Sequence, residues 1–293
     1  MTAKLTRREV IARSLVAAPG LVYVLPSATF AADAATRLAE LERTNGGRLG
    51  VVVLEVASGR RIERRAHERF PMCSTFKWLA AAFVLARVDR GEERLDRRVL
   101  FTKDDLVPYS PITGKHTGPP GMTLEELCHA AVTVSDNTAG NLLLASFGGP
   151  AGLTKYARSL GDEVTRLDRN EVELNEATPG DVRDTTTPAA ITGNVRRLVV
   201  GDALSAPSRA KLTDWLVGNT TGDSRLRAGF PKGWRVGDKT GSGDHGVTND
   251  VAIAWPPERQ PLIVSAYYAE SSAEDKARNA VLAEVARIVV AGG

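Results

Sequence analysis

Strand-like runs lie near both ends of this chain, and helix-like runs fill its middle. Leu49–Ala57 is β-branched and apolar, Ser58-Gly59 forms a turn, and Arg61–Ala66 reads as the second strand of a hairpin. Trp234–Asp238, Asp250–Trp255 and Leu262–Ala269 are short strand-like runs separated by Gly and Pro. Between the two groups, Phe76–Val88 is long and apolar enough for a buried helix. Leu124–Ala130, Asn141–Phe147, Pro188–Val200 and Ser208–Val217 also read as helices, and Asp33–Asn45 and Ala273–Val290 add one at each end. Strands at both ends with helices between them imply one sheet built from both termini, with a helical domain inserted. A chain of 293 residues has room for one large unit or two closely packed ones.

The first residues are read as an address and not as fold. Thr6-Arg7-Arg8-Glu9-Val10-Ile11 is a twin-arginine-like pattern. An apolar run from Leu15 to Leu25 follows, then Pro26 and the small-residue stretch Ala31-Ala32-Asp33-Ala34. This is the form of an export signal over residues 1–34, by the twin-arginine or the general route. The apolar run is shorter than the roughly 20 residues needed to span a bilayer. The expected location is therefore periplasmic or secreted, with no membrane attachment after processing. Net charge is +3. The leader holds Lys4, Arg7, Arg8 and Arg13 against Glu9 and Asp33, so the remaining body is nearly neutral. Nothing in it marks a nucleic-acid partner. The two cysteines, Cys73 and Cys128, permit at most one internal disulfide, and the four histidines show no close ligand spacing. No metal or cofactor is expected.

Four short motifs carry possible chemistry, each with an ordinary alternative. In Ser74-Thr75-Phe76-Lys77, residues i and i+3 share a helix face, which puts an amine one turn from a hydroxyl. A serine nucleophile needs such a neighbour. Yet Ser208-Arg209-Ala210-Lys211 repeats the spacing, and Ser208 there reads as an ordinary helix N-cap. Ser135-Asp136-Asn137 reads first as a turn or helix cap, and otherwise as a proton-passing Ser135 beside a substrate-binding Asn137. Lys239-Thr240-Gly241-Ser242-Gly243 follows the strand Trp234–Asp238 and reads either as a hairpin turn or as a carboxylate-binding edge. The stretch Arg166–Thr187 is a long aperiodic loop of the kind that is usually functional. Within it, Glu171 with Asn175 is a surface pair or a general base with a water.

As an ordered set these motifs resemble the class A serine β-lactamases. The resemblance extends to Phe70-Pro71-Met72-Cys73-Ser74, Val134-Ser135-Asp136-Asn137-Thr138-Ala139, Arg166-Leu167-Asp168-Arg169, Leu174-Asn175-Glu176, Arg183-Asp184-Thr185-Thr186 and Asn219-Thr220-Thr221-Gly222. It implies the β-lactamase/penicillin-binding (transpeptidase-like) fold. In it an α/β domain (residues 35–66 and 218–293) and an all-α domain (67–217) flank the site. It also implies hydrolysis of penicillins and cephalosporins by a monomer, conferring antibiotic resistance. Ser74 would be the nucleophile, with the backbone N–H groups of Ser74 and Ser242 as oxyanion hole. Lys77, or Glu171 through water, would be the acylation base. Ser135, next to Lys239, would protonate the lactam nitrogen, and Glu171 with Asn175 would drive deacylation. Asn137 would bind the substrate amide. Lys239, Thr240, Ser242 and Arg225 would bind its carboxylate, with Tyr109 at the mouth. Arg169 and Asp184 would pair across the base of the long loop.

Departures from the family pattern carry further expectations. Ala81 stands where many members have the partner of a cysteine like Cys128, and Gly243 where carbapenem-hydrolysing members bridge to one like Cys73. Both thiols should therefore stay reduced, and carbapenem turnover should be weak. Lys239 to Asp244 resembles the cefotaxime-hydrolysing branch, whereas Arg225 resembles the branch that takes its carboxylate arginine from this loop. Val172 replaces the familiar proline after Glu171, and a cis Glu171–Val172 peptide is expected. The alternatives are a D-Ala-D-Ala carboxypeptidase, which lacks the deacylating Glu, and a membrane-tethered β-lactam sensor, which stays acylated.

Overall fold

The computed structural model describes residues 28–291; the twin-arginine-like pattern and the apolar run after it lie outside them. Helix α1 (Ala28–Asn45) leads into the hairpin β1 (Arg48–Glu55) and β2 (Arg61–Arg64). A two-residue strand β3 (Phe70–Pro71) precedes α2 (Phe76–Asp89). Two more short strands, β4 (Arg98–Val99) and β5 (Met122–Thr123), pair with each other ahead of α3 (Leu124–Thr133), α4 (Asn137–Ala145) and α5 (Gly149–Ser159). After the long loop, β6 (Thr185–Thr186) pairs with β3 and is followed by α6 (Pro188–Val195) and α7 (Ala206–Val217). The chain then passes a short α8 (Leu226–Gly229) into β7 (Arg235–Gly243), β8 (Val247–Trp255) and β9 (Leu262–Ala269), and ends in α9 (Asp275–Val290).

The five long strands form one antiparallel sheet in the order β2-β1-β9-β8-β7. The N-terminal hairpin therefore meets the C-terminal meander through β1 and β9. Alternation along the strands gives the sheet two apolar faces. Val51, Val53, Ala252, Ala254, Val264 and Ala266 pack with Leu38 of α1 and Leu282 and Val285 of α9. Val251, Ile253, Ile263 and Tyr267 face the other way, into the core built around α2. Helix α2 is buried along nearly all its length, which is why its sequence shows no polar face. Among the described residues, no helix is long and apolar enough to cross a membrane.

Three local expectations need correction. Lys239–Gly243 does not follow a strand; it is the second half of β7, paired residue by residue with β8 from Arg235–Trp255 to Gly243–Val247. Its glycines gave it the look of a turn, but the turn is Asp244–Gly246. Ser208 is not an N-cap: Ser205 caps α7 by accepting from the Ser208 N–H. Helix α4 begins at Asn137, four residues before the apolar run, because Asp136 caps it by accepting from Ala139 N–H. Helix α5, opened by Gly148 and Pro150, has too weak an apolar run to be read from sequence.

Candidate active site

The site lies where α2, the α3–α4 turn, the long loop and β7 converge. Ser74 sits in a single 3₁₀ turn, Cys73–Thr75, that feeds into α2. Its Oγ is therefore near the positive end of that helix. Strand β7 lies directly against this turn. Gly241 makes that possible, since a Cβ there would come within 2.7 Å of the Met72 carbonyl oxygen. Cys73, Tyr109 and Ser135 take positive φ values of 45°, 62° and 59°, a backbone conformation that clusters at functional sites.

Lys77 is the hub. It is fully buried, and its Nζ lies 2.9 Å from Ser74 Oγ, 2.5 Å from Asn137 Oδ1 and 2.9 Å from the Ser135 carbonyl. Ser135 Oγ is 3.4 Å away and Glu171 Oε1 2.9 Å. An ammonium has three protons, so these oxygens share them. Gly140 leaves the space, because a Cβ there would come within 2.9 Å of Lys77 Cε. Glu171 is 1% exposed and receives the Ser74 hydroxyl on Oε1 at 2.6 Å and Asn175 Nδ2 on Oε2 at 2.5 Å. The hydroxyl thus donates to the carboxylate directly and accepts from the ammonium. Lys239 Nζ donates to Ser135 Oγ at 2.9 Å, so Ser135 is flanked by both lysines.

The long loop is held in the expected way. Arg169 Nε meets Asp184 Oδ2 at 2.6 Å, and Asp184 Oδ1 accepts the backbone N–H groups of Asp168 and Arg169. The Glu171–Val172 peptide is cis. Asn141 grips Glu171 at both ends of its backbone, accepting from its N–H and donating to its carbonyl, each at 2.8 Å. Both cysteines are free and buried.

Above this buried layer opens a cavity of about 320 Å³. Ser74, Tyr109, Ser135, Asn137, Asn175, Arg225, Thr240 and Ser242 line it, together with Thr221 and Gly241. Tyr109 is 61% exposed at the mouth. Arg225 Nη2 donates to Ser242 Oγ at 2.6 Å, and Thr240 Oγ1 lies 2.5 Å from Thr221 Oγ1. Asn137 commits its amide oxygen to Lys77 and one amide hydrogen to Pro108 O, leaving one hydrogen for a ligand.

Residues 33–292 match the model of the β-lactamase enzyme family. The β-lactamase FAR-1 of Nocardia farcinica (strain IFM 10152) is 53% identical over 257 residues, spanning 88% of this chain and 82% of its own. The β-lactamase CTX-M-97 of Escherichia coli is 49% identical over 275 residues, spanning 93% and 94%. An ancestral (GNCA) class A β-lactamase of known structure superposes with a TM-score of 0.87 at 63% identity, over 89% of this chain and all of that one. The chain belongs to the class A β-lactamases.

Electrostatics in this β-lactamase follow from burial. Burial pushes the Lys77 ammonium down and the nearby Glu171 charge only partly restores it. Burial alone would raise Glu171, but the Lys77 charge and the hydrogen bonds from Ser74, Lys77 and Asn175 hold it below the usual carboxylate range. Burial drives Lys239 well below an ordinary lysine, and the positive charge of Lys77 adds to that. Sequence reasoning missed Asn141, Thr221 and the scaffolding role of Asp136. Asp136 accepts from Ile112 N, Thr113 N and Thr113 Oγ1, fixing the segment that presents Tyr109. A capping Asp before an apolar run was the available signal for Asp136. Thr221 stood in a stretch that resembles the family but had no role attached to it, and Asn141 gave no signal.

Proposed function

We infer that this enzyme opens the β-lactam ring of penicillins and cephalosporins by way of an acyl-enzyme on Ser74, as an exported monomer acting on small-molecule substrates. The observation that carries this is the Ser74 hydroxyl donating to Glu171 at 2.6 Å while accepting from Lys77 at 2.9 Å. A nucleophile with a base on one side and a cation on the other is activated for attack. Ser74 Oγ bonds to the lactam carbonyl carbon, its proton leaves toward Glu171, and the C–N bond breaks as Ser135 protonates the nitrogen. Lys77 and Lys239 supply Ser135 with a proton. The backbone N–H groups of Ser74 and Ser242 receive the oxyanion; losing one such donor typically costs about 10²–10³ in rate.

Glu171 passes the Ser74 proton on to Lys77, 2.9 Å away, replacing the one that went to Ser135, and as a carboxylate again takes a proton from the water that attacks the ester carbonyl. The carboxamide oxygen of Asn175 is buried with no partner among the described residues, which supports a hydrogen-bonding role toward that water. Asn137 orients the substrate amide, and Arg225, Lys239, Thr240 and Ser242 hold its carboxylate. In this reading residues 35–66 and 218–293 form the α/β domain and 67–217 the helical one.

Steady-state hydrolysis of a chromogenic cephalosporin by the purified mature protein tests the assignment, paired with intact-mass spectrometry after penicillin treatment. Many turnovers with a short-lived adduct are expected. A permanent stoichiometric adduct without turnover would instead identify a sensor or a carboxypeptidase.

A further inference from the structure

Strands β7 and β8 bury two aspartates close together behind the cavity. Register places Asp250 opposite Thr240 and Asp238 opposite Ala252, so the two carboxylates are diagonal neighbours on one sheet face, roughly 7–8 Å apart at the backbone. Both are fully buried. Their surroundings differ. Asp238 receives the Arg227 guanidinium on Oδ1 and Asn219 Nδ2 on Oδ2 at 2.6 Å. Among the described residues, Asp250 receives only the backbone N–H of Leu226, on Oδ2 at 3.1 Å, and its buried Oδ1 has no partner.

Burial pushes the Asp250 carboxyl well above the usual range, the Asp238 charge pushes it further, and Arg225 opposes both. Burial raises Asp238 as well, but Arg227 and Asn219 occupy its oxygens, so the proton of the pair belongs on Asp250. The charged groups around Asp250 are Asp238 on β7 and Arg225 and Arg227 beside and in α8. On α9, Arg278 is engaged with Asp275 and Thr248. Lys239 alternates onto the opposite face of β7.

Arg225 spends its donors on uncharged acceptors: the carbonyls of Gly241 and Asn249, Ser242 Oγ and Asn279 Oδ1. Burial lowers its pKa, and the largest opposing influence is Asp250. We propose that Asp250 is a positioning residue for the carboxylate subsite, setting through Arg225 how much positive charge the cavity presents to an anionic substrate. The proposal rests on the reading that Arg225 belongs to that subsite. As a neutral acid, Asp250 leaves the arginine charge uncancelled; as an anion it neutralises much of it.

KM and kcat for a penicillin, followed from about pH 6 to about pH 9 in the wild type and in Asp250→Asn, test this. The wild-type KM rises more steeply, so the ratio of wild-type to variant KM grows about fivefold across the range, with the kcat ratio flat. A neutral β-lactam ester shows no such divergence. A flat KM ratio, or a divergence in kcat instead, overturns the proposal. Arg225→Ala separates the two levels. If it leaves KM unchanged, the carboxylate-subsite reading fails. If it raises KM while the Asp250 ratio stays flat, only the present proposal fails. Should Asp250→Asn not fold, ¹³C-carboxyl spectra of the wild-type aspartates decide. One resonance titrating in step with KM supports the proposal, and none doing so overturns it.

Discussion

Ser74-Thr75-Phe76-Lys77 and Ser208-Arg209-Ala210-Lys211 have the same spacing, and both sit in the first turns of a helix. In the first, hydroxyl and ammonium touch at 2.9 Å, the lysine is fully buried, and a carboxylate closes the triangle. In the second, the pair is split. Ser208 Oγ donates to Asp89 at 2.6 Å, while Lys211 pairs with Glu125 and its side chain is 36% exposed. Helix geometry supplies only the shared face. What the face meets decides the chemistry: α2 turns its pair into a polar pocket under the sheet edge, whereas α7 buries Ser208 against the end of α2 and leaves Lys211 toward solvent.

The largest difference expected between the two turns is catalytic. Ser74→Ala should lower turnover on the order of 10⁶-fold, as loss of a serine nucleophile does elsewhere, and abolish the penicillin adduct. Ser208→Ala should retain both. Labelling that survives Ser74→Ala would move the nucleophile and collapse the comparison. Next comes the shared carboxylate: in the first turn one Glu171 oxygen meets both the hydroxyl and the ammonium, whereas in the second Asp89 and Glu125 take one each. Glu171→Gln should slow deacylation by about 10²–10⁴, the range of a general base, and leave a long-lived adduct in the mass spectrum. Unchanged turnover would mean that the 2.6 Å contact with Ser74 plays no part in catalysis.

The lysines sharpen the contrast in stability. Lys77→Met leaves Glu171 charged, buried and without its cation, and breaking a buried pair in this way costs about 3–5 kcal/mol. Lys211→Met removes a pair at the surface, where the loss is about 0–1 kcal/mol. Urea denaturation of the two variants measures the gap. Equal losses would show that the burial of Lys77 is not what sets the two turns apart.

Much of this was legible in the sequence, for identifiable reasons. Both hairpin strands, the α2 run and the closing helix stand out because apolar runs of those lengths have few other uses. The Arg169–Asp184 pair and the cis peptide were accessible only through family resemblance, as was Arg225 at the cavity. Lys239–Gly243 was misplaced because glycine and small polar residues look like a turn when the strand that pairs with them is not in view. Asp250 was invisible altogether. It lies in an apolar run, Asp250–Trp255, and its meaning comes from Asp238 across the strand pair and Arg225 beyond it. Long-range juxtaposition of this sort leaves no local trace.

The smallest effect is the one that tests whether the second turn has a purely structural role. Asp89, at the end of α2, accepts from Ser205 N, Ser205 Oγ and Ser208 Oγ at 2.6–2.7 Å. It thereby joins the C-terminus of one helix to the N-terminus of α7, where a negative charge is favoured. Partial burial alone would raise its pKa, but the hydroxyls of Ser205 and Ser208 outweigh that and lower it. A carboxylate with a depressed folded-state pKa stabilises the fold above its unfolded value, near 3.9, and loses that contribution as pH falls through the folded value. Ser208→Ala removes one of the three bonds and should cost about 0.5–1.5 kcal/mol at neutral pH. The difference from wild type should shrink below about pH 4 as Asp89 takes up a proton in both proteins. Acid titration of the Lys77–Glu171 pair is common to both proteins and cancels in the difference. Denaturation midpoints at matched pH, with kcat alongside, check this. A loss that persists undiminished in acid would place the Ser208 contribution in packing and not in the Asp89 carboxylate. A fall in kcat would join the second turn to the catalytic machinery.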